Sequence, residues 1–283
     1  MHDLQFLEAA AISTIAWPDP SRIRYDAPRE ALAVFKTNSL RAMNLCALPG
    51  FSFWMGVEWG SAGTRASREL IGEVDPTLDL LRPVQNELLV LCHKYMAESM
   101  NLPERERRER LQMGTTECEH HMRACGEDII AMLERQLQSI IIQSWTAFEV
   151  LCADLLTSSI EKHAECFAHL SGTEKFRFYK RELLRDAYEL AFRGDGRVKN
   201  QVKQQSLDAL CLLRNLLVHK SGRVDDTFRE QCTEAHLTGW AALPEKTQFQ
   251  CTGKVISSLL PPTIKSGCSL VKAVDKWLAE NKP

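Results

Sequence analysis

From Arg82 onward, apolar residues recur mainly at three- and four-residue intervals, which is the period of amphipathic helices. PVQNELLVLCHKYMAESM (83–100) opens on a proline suited to a first helical turn, and PERERRERLQ (103–112) places acids and bases at pairing distance along a charged helix. The run from Glu117 to His163 predicts one very long helix, or two in line across Gly126. Further helices are predicted over 174–193, ended by the turn GDG, over 199–220, over 225–237 behind aspartate cap candidates, and over 266–280. TQFQCTGKVISSLL (247–260) alternates weakly and predicts a small hairpin around Gly253. Before Arg82 the pattern is mixed. Residues 4–16 and 28–47 read as helices, separated and followed by the turn-rich stretches WPDPSR, LPGFSFWMGVEWGSAG and VDPT. The expectation is an all-α protein with an N-terminal extension over 1–80, to which no chemistry is assigned, and a helical domain over 81–283.

Composition narrows this picture. A chain of 283 residues can bury a substantial core, and 45% apolar with 25% charged residues is ordinary for a globular protein. The net charge of −2 means that any affinity for nucleic acid must come from a local patch. None of the ten cysteines forms a CxxC pair. The opening segment MHDLQFLEAAAISTIAWPDP carries an acid and no lysine or arginine, the wrong charge for a secretory signal. A cytoplasmic location with reduced, mostly buried cysteines is therefore expected. LQSIIIQSWTAFEVLCADLLTSSI (137–160) is apolar enough to raise the question of a membrane span. It also contains Glu149 and Asp154, charges that are costly at a bilayer centre, so it reads as the central helix of a bundle and no membrane partner is expected.

The helix predicted over 199–220 holds the strongest chemical signal. Within LCLLRNLLVHKSGRVDD (210–226) a leucine-rich stripe carries Arg214, Asn215 and His219. Asn215 and His219 are four apart and share a face, whereas Arg214 lies about 140° round from His219 on an ideal helix. Gly222 suits a helix stop. That puts His219 in the last turn, where the macrodipole favours a cation and Arg214, Lys220 and Arg223 oppose one. An imidazole able to move a proton beside a fixed guanidinium suits a phosphate ester: arginine holds the charge, histidine moves the proton, asparagine orients. The same residues also serve as a helix cap and a snorkelling arginine in structural roles.

RNLLVHKSG resembles the Arg-Asn-x-x-x-His signature of the HEPN superfamily. The resemblance extends to SWTAFEVLCADLL, where Trp145, Phe148 and Glu149 match an aromatic-x-x-Phe-Glu pattern on an earlier long helix. It also includes the glycine and acid-led helix of SGRVDDTFRE. It covers roughly residues 120–237. It implies an up-and-down helical bundle and a metal-independent endoribonuclease without cofactor. In such an enzyme the ribose 2′-OH attacks the adjacent phosphate and leaves a 2′,3′-cyclic phosphate. His219 would be the acid or base, Arg214 the phosphate clamp and Asn215 a positioner. A homodimer would supply a second His219 and Arg214 to one composite cleft. The resemblance also implies a toxin or defence effector, with an inhibitory protein as a further partner. The alternative is a non-catalytic HEPN module that binds RNA, a nucleotide or a protein.

Other constellations bear on this reading. Glu149 is a candidate support for Arg214 or His219, and equally a solvated or structurally paired acid. EKFRFYKRELLR (174–185) interleaves cations with aromatic rings, as RNA-binding surfaces and ordinary amphipathic helices both do. Residues 172–223 hold twelve lysines and arginines against six acids, an excess of six in a chain of net charge −2. Lys203, Lys220 and Arg223 are the cations expected to contact RNA. Cys118, His120, His121 and Cys125 are conceivable zinc ligands, but their spacing fits no common pattern, and no metal site is expected. No phosphate-cradling glycine loop, HExxH or GxSxG element occurs.

Overall fold

A computed structural model describes residues 15–72, 82–103, 105, 106, 109, 110, 127–171, 176–178 and 180–282. Among these the protein is helical and contains no strand. An isolated antiparallel bridge between Arg223 and Gln248 is the nearest approach to a sheet. The helices are α1 (Asp26–Ile71), α2 (Gln85–Met100), α3 (Glu127–Lys162), α4 (Arg181–Ala191), α5 (Gly196–Val202), α6 (Gln205–Lys220), α7 (Asp226–Glu234), α8 (Thr238–Ala241) and α9 (Gly253–Asn281). The chain divides into two compact units: Met1–Cys46 with Ala131–Pro283, and Ala47–Ile130. The change of composition near residue 80 falls inside the second unit.

In the first unit, α3 is the central element. Leu137, Ile140, Ile141, Trp145, Phe148, Leu151, Cys152, Leu155 and Leu156 are buried at three- and four-residue spacing. The stretch Glu134–Lys162 is long and apolar enough to cross a bilayer, yet 56% of its most apolar window is buried inside the protein, which accounts for its hydropathy. Tyr188 of α4 donates from its hydroxyl to the Cys152 carbonyl at 2.8 Å, tying α4 to α3. Helix α9 packs on α5 and α6. At Gly267 it passes so close to α1 that an added Cβ would stand 2.4 Å from the Phe35 ring, so only glycine fits there.

The second unit has a small core of Ala62, Ala66, Cys92, Tyr95 and Met96 between α1 and α2. Arg65 lies 3.8 Å over the Tyr95 ring, and the Tyr95 hydroxyl bonds to Glu69. The buried Glu58 accepts from Arg110 at 2.6 Å and from Ser99 at 2.8 Å.

Several sequence expectations require correction. Gly253 is not the turn of a hairpin but the first residue of α9, behind Thr252, whose hydroxyl accepts from the Val255 amide at 3.3 Å. That helix continues through Pro261 and Pro262. Each proline removes a hydrogen-bond donor at a cost of about 3 kcal/mol, and burial of Ile256, Leu259, Leu260 and Ile264 on either side offsets it. Helix α1 does not end at residue 47; it runs on through the stretch read as turns. The helix expected over 174–193 begins only at Arg181, and the one expected over 199–220 is two, α5 and α6, broken at Lys203–Gln204. The predicted helix over 4–16 lies outside the described residues except for Ile15 and Ala16, which are not helical, and the VDPT turn lies outside them entirely.

Candidate functional site

Helices α6 and α7 form an antiparallel pair. Helix α6 ends on two consecutive left-handed residues, Ser221 (φ 51°) and Gly222 (φ 79°), whose amides both turn back to the Leu216 carbonyl. The chain then reverses at once into Asp225, whose carboxylate caps α7 by accepting from the Phe228 amide at 2.9 Å. At the other end, the Gln205 side-chain amide donates to the Ala235 and His236 carbonyls, each at 3.1 Å. The segment after α8 buttresses the reversal: the Phe249 amide donates to the Gly222 carbonyl at 2.8 Å, and Val224 pairs with Thr247 and Lys246.

Between the two helices lies an open groove of about 480 Å³. Helix α6 contributes Leu212, Arg214, Asn215, Leu216, His219 and Lys220; the α7 wall contributes Asp225, Thr227, Phe228 and Gln231; Lys180 stands beside them just ahead of α4. Leu212, Leu216 and Phe228 are buried and make an apolar floor. The floor is held firmly, because Phe228 stacks on Trp240 at 6.3 Å and meets Phe249 edge-on at 6.2 Å. His219 is exposed, and Arg214 and Asn215 are half-buried.

All three motif residues therefore line one groove, although an ideal helix separates Arg214 from His219 by about 140°. The long arginine side chain resolves the difference. Its Nη1 donates to Asn215 Oδ1 at 2.9 Å, and Asn215 Nδ2 in turn reaches the buried Cys211 sulfur at 3.7 Å. Burial pushes that thiol up to about 12, so it stays neutral. The guanidinium is thus carried on a fixed amide, while its buried Nε has no partner among the described residues.

Glu149 approaches from α3. Burial pushes its carboxyl above the ordinary value, and the Arg214 guanidinium opposes this without cancelling it. It makes no ion pair of 4 Å or less with Arg214 among the described residues, and it does not line the groove. Its influence on the site is one of charge felt through Arg214.

The three cations expected to meet RNA are placed differently. Lys220 lines the groove and pairs with Asp225 at 3.0 Å. Arg223 sits exposed at the bridge to Gln248, outside the lining. Lys203 is away from the groove, in a second depression shared with Glu182, Arg185, Asp186, Glu189 and Asp208, and pairs with Glu189 at 3.4 Å. Phe176 and Phe178 precede α4 and are half-buried. Cys118, His120, His121 and Cys125 lie outside the described residues. Among the described residues no three metal-ligating side chains cluster.

Sequence reasoning did not single out Thr227, Phe228 and Gln231. Their residue types are ordinary, and only the short α6–α7 connection, which favours antiparallel neighbours, signals that they face the motif. Comparison with protein-family models, curated proteins and solved structures finds no match for this chain.

Proposed function

We propose that the protein is a metal-independent endoribonuclease of HEPN type that cleaves RNA by transesterification in the α6–α7 groove. The supporting observation is that Arg214, Asn215 and His219 line one open groove with an apolar floor. In this reaction a base takes the proton of the ribose 2′-OH. The 2′-oxygen bonds to the adjacent phosphorus while the bond from phosphorus to the 5′-oxygen breaks, and an acid returns a proton to that leaving oxygen. The products are a 2′,3′-cyclic phosphate and a free 5′-hydroxyl, with no oxidant or metal in the balance. Arg214, braced on Asn215, holds the phosphate as negative charge develops on its oxygens. His219, exposed at the groove's edge, exchanges the proton. One chain brings one His219, so a second copy supplies the other half of the acid–base pair.

The test is incubation of the purified protein with RNA in EDTA, followed by end-group analysis. Cyclic phosphate ends are expected. His219→Ala and Arg214→Ala should each lower cleavage by about 10³-fold without altering the circular dichroism spectrum. Full cleavage by the double variant removes the assignment.

A further inference from the structure

A second concavity, of about 850 Å³, lies between the segment that leads into α1 and the last turns of α9. It shares no lining residue with the α6–α7 groove. Small-molecule sites usually measure about 300–1,000 Å³. The segment before α1 brings Trp17, Arg22 and Arg24 to it. The Trp17 indole is held in place by Phe35, edge-on at 6.1 Å, and by the Lys36 ammonium 6.0 Å from the ring centre. Helix α9 brings Lys272, Asp275 and Lys276, which share one face at three- and four-residue spacing. The pocket's charges are unequally engaged. Asp19 accepts from the Ser21 amide at 2.9 Å and its hydroxyl at 2.8 Å, and Glu280 accepts from Arg197 at 2.5 and 2.9 Å. The exposed Arg24 and Lys272 side chains pair with no carboxylate among the described residues. Asp275 is only 8% exposed. One of its oxygens accepts from the Tyr25 amide at 2.9 Å, and the other has no partner among the described residues.

We infer that this pocket binds a 5′-phosphorylated nucleoside, at a site separate from the α6–α7 groove and independent of the cleavage reading. Three features of the lining each ask for one part of such a ligand. The unpaired Arg24 and Lys272 call for an anion, and a phosphate monoester meets both a guanidinium and an ammonium well. The open oxygen of a largely buried carboxylate calls for a donor, which ribose hydroxyls and base N–H groups supply. The indole offers a flat apolar wall, and every base has a π-face to lay on it. A bare anion satisfies the cations but is repelled by Asp275. A neutral nucleoside satisfies Asp275 and Trp17 but leaves the cations unanswered. Only a ligand that joins anion, donor and ring answers all three. The shared chemistry occurs in a free mononucleotide and at the phosphorylated end of an RNA strand.

The experiment is calorimetric titration of the full-length protein carrying Arg214→Ala, which removes the proposed phosphate clamp from the other groove. AMP is expected to bind about tenfold more tightly than adenosine or inorganic phosphate. Adding Arg24→Gln or Lys272→Gln, both at exposed positions, should weaken AMP about tenfold and leave adenosine unchanged. Trp17→Leu should weaken AMP and adenosine alike and spare inorganic phosphate. Asp275→Asn keeps an acceptor for the Tyr25 amide and removes the repulsion, so the margin of AMP over inorganic phosphate should narrow. A 5′-phosphorylated trinucleotide separates the two sources: tighter binding than AMP identifies a strand end, and equal or weaker binding a free nucleotide. No binding of AMP, binding no tighter than that of inorganic phosphate, or binding untouched by Arg24→Gln, Lys272→Gln and Trp17→Leu overturns the inference. RNA left uncut by the wild-type protein while AMP binding holds retires the cleavage reading alone.

Discussion

Two basic regions flank α6, and they behave differently. Along α4, α5 and the first turn of α6, nearly every cation faces a carboxylate. Arg185 meets Asp208 at 2.6 Å, Arg181 meets Glu182 at 2.5 Å and Asp208 at 3.5 Å, and Lys199 meets Glu189 at 2.5 Å, with Lys203 sharing that acid. At the other end of the same helix, Arg214 is braced by a neutral amide, and the one carboxylate lining the groove among the described residues, Asp225, is taken by Lys220. The excess of six positive charges over residues 172–223 therefore overstates the field of the first region. A count along the chain registers charges; only packing decides which are neutralised. The first region joins three helices, and the second leaves a guanidinium braced on an amide beside an open groove.

This contrast can be broken from either side. The largest effect belongs to Asp208→Ala. Asp208 is 8% exposed and faces two partly buried arginines. Its loss strands them at a cost of about 3 kcal/mol, read as a lower urea midpoint, while the cleavage proposed for the groove should persist per folded molecule. A fall in cleavage at unchanged stability would place Asp208 in the site instead.

Asp225→Ala sits between the two kinds of effect. It removes the α7 cap, about 1 kcal/mol, and frees Lys220, so binding of polyanions should tighten and depend more steeply on salt. The sign with pH follows from the carboxyl, which the Phe228 amide and then Lys220 hold below the ordinary carboxylate range. Its stabilisation is complete above the unfolded value of about 3.9 and disappears as pH falls through the lower folded value. Wild type and variant should converge in stability in that acid window and differ at neutral pH. The smallest effect is Lys203→Ala, which should change neither the unfolding midpoint nor RNA binding, because its partner Glu189 keeps Lys199.

Legibility in the sequence followed the range of the interaction that decides each feature. The end of α6 and the start of α7 were readable because Gly222 and Asp225 act within a few residues of themselves. The α3 core stripe was readable because its period is regular. Gly253 misled because a glycine within a weakly alternating run looks like a hairpin turn, while the burial that sustains α9 involves residues distant in sequence. The run PGFSFWMG misled for a related reason: Pro49 and Gly50 argue for a break, and α1 continues across them. At the site, the motif gave one wall. The other wall needed tertiary packing, and Lys180, counted among the cations before α4, gained its place only when α4 docked beside α6.

The tight reversal at Ser221 and Gly222 also bears on how the cleft comes into being. Its two helical walls lie within positions 212–231, so they meet through contacts near in sequence, which close quickly during folding. Docking of α9 instead joins the ends of the chain, as where the Tyr25 amide donates to Asp275 at 2.9 Å. Low contact order thus favours early pairing of the cleft walls over the closure of α9 around them.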